Sequence, residues 1–82
     1  MAFTGWAKRD NPKGADSYEF YAKDDEVRGF VEYKAKLERN LEVWGATRID
    51  GITETDIGRF IGRDAAKFAL EYNLKGGTFV NS

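Results

Sequence analysis

With 82 residues, 41% of them hydrophobic, the chain is long enough for one packed domain and too short for two. Thirteen lysines and arginines against fourteen aspartates and glutamates give a net charge of -1, which excludes a whole-molecule field that draws the protein to nucleic acid or to an anionic membrane. The absence of cysteine and histidine removes disulfide frameworks, thiolate zinc sites and every nucleophile–imidazole pair.

Residues 2–9, AFTGWAKR, and 17–23, SYEFYAK, are aromatic-rich runs on either side of DNPKGAD, which holds the only proline. Two such runs around an Asn-Pro-x-Gly cluster predict a β-hairpin, with Tyr18, Phe20 and Ala22 on one face of its second strand and Tyr21 on the other. From Asp24 to Trp44 the pattern turns helical: Val27, Phe30, Val31, Tyr33, Leu37, Leu41 and Trp44 share one arc when the chain advances about 100° per residue. Asp24, Asp25 and Glu26 fit the positive end of that helix dipole, and Gly45 fits its C-cap.

The segment 53–73, TETDIGRFIGRDAAKFALEYN, admits one helix or two short helices hinged at Gly62. Ile57, Phe60, Ile61, Phe68 and Tyr72 stay in phase across Gly62, which favours one continuous helix. NLKGG ends it, and the β-branched and aromatic TFVN predicts a last short strand. The expected fold is therefore α+β in the order β-β-α-α-β, a small antiparallel sheet on two antiparallel helices; an all-α fold with irregular termini is the rival.

Few groups are left for chemistry. Carboxylate pairs could hydrolyse glycosides, but a domain this small has little room for a sugar-holding cleft, so a non-catalytic protein without cofactor is expected. The 24–26 DDE run could offer oxygens to a divalent cation, but helix-dipole compensation explains it, and no metal site is predicted. DNPKGAD lacks the alternating spacing of a calcium loop, and neither G-x-x-x-x-G-K-[ST] nor G-x-G-x-x-G occurs.

On a single helix, Arg59, Arg63 and Lys67 form a basic stripe on the back, and the same arithmetic puts Leu70 in its middle. A leucine ringed by cations suits a protein interface, with Tyr21 as the exposed ring of the hairpin, so these five residues form the candidate binding face. Another protein is the expected partner of a small accessory, regulatory or inhibitory factor, a profile that small phage or mobile-element proteins share. A structural subunit of a larger assembly is a further possibility. In the hinged form, TDIGRFIG resembles the first helix of helix-turn-helix motifs, which implies a nucleic-acid partner; the second helix offers only Arg63 and Lys67 to phosphates and begins with Asp64. Neither a signal-peptide core nor a run of ~20 apolar residues is present, so a soluble, cytoplasmic protein is expected, with no membrane partner.

Overall fold

The computed structural model describes residues 2–8 and 18–76, and it turns most of the predicted helices into strands. Five strands, β1 (Gly5–Lys8), β2 (Tyr18–Lys23), β3 (Glu26–Lys36), β4 (Glu42–Asp50) and β5 (Thr53–Ile61), form one antiparallel sheet in the order β1-β2-β3-β4-β5. A single α-helix, α1 (Arg63–Leu74), follows and packs on one face. The predicted two-helix and all-α arrangements are thus both wrong, and the layers are one sheet and one C-terminal helix. The first predicted hairpin does form, as β1 and β2, whereas its proline loop and the predicted TFVN strand lie outside the described residues.

The first predicted helix fails because tight turns cut its span. Asp24 and Asp25 both have positive φ, 55° and 64°, and they join Lys23 to its register partner Glu26 as a two-residue turn of the primed type that suits the sheet's twist. The acidic run therefore caps no helix. Instead the Asp25 carboxylate accepts a 2.6 Å hydrogen bond from the Phe3 N–H, and the Asp25 N–H donates to the Phe3 carbonyl at 3.0 Å, which ties the N-terminal segment to this turn. A second reversal, a short 3-10 turn at Glu38–Asn40 with Arg39 and Asn40 both left-handed, separates β3 from β4. Gly45 lies within β4 and ends nothing.

The second predicted helix is a strand followed by a helix. Gly62 is the joint, at φ 96°, a conformation open to glycine and strained for other residues. Its N–H donates to the Glu42 carbonyl at 2.7 Å, and its own carbonyl accepts from the Ala66 N–H at 3.3 Å, so one residue ends the sheet ladder and starts the helix. Neither a continuous helix nor a helix-turn-helix exists here.

The core lies between sheet and helix. Val31, Trp44 and Ala46 come from the middle strands and Ala66 and Leu70 from α1, with Trp6, Tyr21, Tyr33, Ile57, Phe60 and Leu74 packed around them. Leu70 is fully buried on Gly29, where an added Cβ would stand 2.8 Å from both Leu70 methyls and 2.5 Å from the Thr47 carbonyl oxygen. A bare backbone at position 29 lets the helix settle this close to the sheet.

Candidate functional site

The five residues of the predicted binding face do not form one surface. Arg59 stands on β5 with its side chain on the face of the sheet away from α1, beside Lys34, Thr47 and Asp56. Arg63 and Lys67 are on α1, across the sheet from Arg59. Leu70 is core, because the helix begins at Arg63 and is rotated so that Ala66, Ala69 and Leu70 point inward. Tyr21 is turned to the helix side, with its ring 5.4 Å from that of Trp6. Tyr18 and Phe20, its strand neighbours, point the other way, and all three rings are partly exposed.

What Arg63 and Lys67 do is visible at their tips. Glu19, 8% exposed, accepts from Lys67 Nζ at 2.6 Å and from Arg63 NH1 at 3.3 Å, and Lys67 Nζ also sits 5.1 Å from the centre of the Trp6 ring. A buried carboxylate needs such partners, and the cation over an indole adds attraction to the ring face. The two basic residues thus anchor the first half of α1 to β2 and β1. At the other end of α1, Arg48 from β4 donates to the carbonyl of Asn73 at 3.1 Å and to its side-chain oxygen at 3.0 Å, and so supplies a cation at the negative end of the helix.

Nearby is a cleft of about 340 Å³ lined in part by Tyr21, Lys23, Arg28, Arg48, Glu71 and Lys75. Its two arginines are already engaged, Arg48 as above and with Asp50, and Arg28 with Glu26 at 3.1 Å. No group of three or more carboxylates among the described residues could hold a metal ion. Nor is any helix among them long and apolar enough to cross a membrane.

The surface that remains is the face of the sheet opposite α1. The strand register lays it out in rows. Phe20, Phe30, Thr47 and Asp56 are successive partners across β2 to β5; Tyr18, Glu32, Gly45 and Arg59 form the next row, and Ala35, Val43 and Ile61 the next. Tyr18 stacks on Phe30 with ring centres 5.0 Å apart. Lys34 bonds to Glu32 and lies across Gly45, which leaves a shallow trough between it and Thr47, Asp56 and Arg59. Beyond the third row Leu37 and Leu41, joined by a 2.6 Å backbone hydrogen bond, close the β3–β4 hairpin. Leu37, Leu41 and Ile61 are each about half exposed, and together with Val43 they make an apolar end to a face whose middle is charged. Sequence reasoning missed this group because it assigned Leu37, Leu41 and Val43 to a helix and its capping region. The run of β-branched and aromatic residues in β3 was the available signal.

Compared with known proteins, the chain matches no family model, no curated protein and no solved structure.

Proposed function

We propose that this is a small non-catalytic binding protein that engages another protein through the sheet face opposite α1. The observation that carries the reading is the cluster of Leu37, Leu41, Val43 and Ile61 at one end of that face, with the Tyr18–Phe30 stack on the same side. Apolar and aromatic groups with a polar surround are the composition of protein interfaces, and exposed apolar residues that gather rather than scatter call for a partner. The charged side chains on this face have no surplus of cations: Lys34 and Arg59 stand against Glu32, Glu54 and Asp56. A nucleic-acid partner requires surplus cations, and its structural basis in a helix-turn-helix over residues 53–73 is absent.

The test is affinity capture from the native host with the wild-type chain beside Leu41→Glu and Ile61→Glu, followed by titration of the purified partner. Both sites are exposed enough to leave the melting temperature within a few degrees. Loss of the same partner in both variants, with wild-type binding that changes little between low and high salt, supports the reading. A partner held equally by all three chains, or an affinity that falls by orders of magnitude with salt, overturns it.

A further inference from the structure

The outer edge of β5 offers a second surface, which shares only Ile61 with the apolar end of the sheet. β5 is a nine-residue edge strand, and among the described residues no strand pairs with its outer side. Edge strands are ordinarily guarded by proline, by lysine, by being short or by a bulge that twists the edge, and β5 carries only the last of these, at Ile57. The other edge, β1, has only four residues and ends in Lys8, whereas Thr53–Ile61 contains neither lysine nor proline.

We propose that β5 pairs antiparallel with β5 of a second copy of this chain about a two-fold axis, so that the two sheets become one. The register follows from a bulge. Thr47 is opposite Asp56 and Ala46 is opposite Gly58, so Ile57 is an inserted residue and the side-chain alternation of β5 shifts by one there. Residues paired across a new strand must share a face. Opposing Asp56 to Arg59 of the second copy satisfies this, because both side chains lie on the face away from α1. The same register sets Glu54 opposite Ile61 on that face and Thr55 opposite Phe60 on the helix face, and each pair again agrees. It also places Ile57 opposite Gly58, whose missing side chain leaves room for it.

The Asp56–Arg59 pairing occurs twice, once on each side of the axis. Arg59 has no ion-pair partner among the described residues of its own chain. Asp56 uses one carboxylate oxygen for the Gly58 N–H at 3.0 Å and has the other to offer.

Arg63 and Lys67 fix one flank of α1 toward β2, while at about 100° per residue Tyr72 and Phe68 each stand about 160° from the buried Leu70, on the side of α1 turned away from the sheet. Tyr72 and Phe68 stack in parallel at 6.2 Å while remaining 41% and 66% exposed. A two-fold axis through the β5 edge sets the two helices on the same face of the joined sheet.

Sedimentation velocity on the full chain across a concentration series tests the pairing. A monomer–dimer equilibrium is expected, with Arg59→Asp and Asp56→Arg each raising its dissociation constant about tenfold or more, and the double exchange Asp56→Arg/Arg59→Asp restoring it. Leu41→Glu should leave the dimer intact, which separates this interface from the apolar end of the sheet. A chain that stays monomeric to roughly 500 μM, well above the micromolar range of moderately tight specific pairs, overturns the proposal. So does a dimer that the single exchanges leave unchanged, or one that the double exchange fails to restore.

Discussion

Truncating Leu70 to alanine tests whether the helix is held by its core contact or by its charged flank. Leu70 is 0% exposed and sits between Gly29 and the Val31–Trp44–Ala46 surface, so the substitution removes three carbons from a closed site. Large-to-small changes of this kind cost about 2–5 kcal/mol, and the rigid sheet beneath, unable to collapse into the space, places the expected loss at about 3 kcal/mol. For an 82-residue domain the total stability is about 4–12 kcal/mol, so the change consumes a quarter or more of it. At about 4–8 °C per kcal/mol, the melting temperature should fall by roughly 10–25 °C. Circular-dichroism melts and urea titrations at low protein concentration, where self-association does not contribute, would measure it. Ile52→Ala is the matched control, since Ile52 is fully exposed at the tip of the β4–β5 turn and its loss should stay within about 0.5 kcal/mol. Equal effects of the two substitutions, or a Leu70→Ala loss below about 1 kcal/mol, would refute the placement of Leu70 under the helix.

Two further substitutions probe the same interface. Glu19→Gln leaves Lys67 and Arg63 without their shared carboxylate and should destabilise by about 1–3 kcal/mol; a double-mutant cycle with Lys67→Met should show coupling, and additivity would mean that the contact contributes nothing. Gly29→Ala forces a Cβ to within 2.5 Å of the Thr47 carbonyl oxygen and should cost about 1–3 kcal/mol. Its cost should be smaller in the Leu70→Ala background, where two of the three clashing atoms are gone, and an unchanged cost there would count against this packing.

The first hairpin was legible from aromatic runs and turn residues, and α1 was legible in part, since NLKGG marks its end. The rest was obscured by physical causes. Both faces of β3 are partly buried, one by α1 and one by side chains of neighbouring strands, so Val27, Phe30, Val31 and Tyr33 do not alternate. A bulge at Lys34 and another at Ile57 shift the alternation by one residue, and a shifted period of two produces spacings of three and four that imitate a helix face. Asp50-Gly51, followed by ITET, carried a genuine hairpin signal, and Gly51 takes φ 63° in that turn. The continuity of Ile57, Phe60, Ile61, Phe68 and Tyr72 masks it, because the strand-to-helix joint at Gly62 happens to preserve the phase.

The five residues of the expected binding face are dispersed for a related reason. A basic stripe on a helix is free to bind a partner only if nothing inside the molecule claims it, and a single carboxylate on another strand is enough to do so. Glu19 gives no signal in the linear sequence, lying as it does between two aromatics in a predicted hairpin, and yet it binds both Arg63 and Lys67. With those cations engaged and Leu70 in the core, the proposed contacts fall, among the described residues, on groups that a helical reading hides: the apolar end of the sheet face opposite α1, and the β5 edge with Asp56 and Arg59 side by side. The two surfaces make separable demands. An apolar patch gains from excluded water and responds to Leu41→Glu, while an antiparallel edge gains from backbone hydrogen bonds in a fixed register and responds to exchange of Asp56 and Arg59. Because both are carried by one rigid sheet, joining two copies at β5 would also bring two apolar ends into a fixed spacing. A dimer could then hold a partner at two points, with an avidity that a monomeric variant such as Arg59→Asp would lose although its patch is intact.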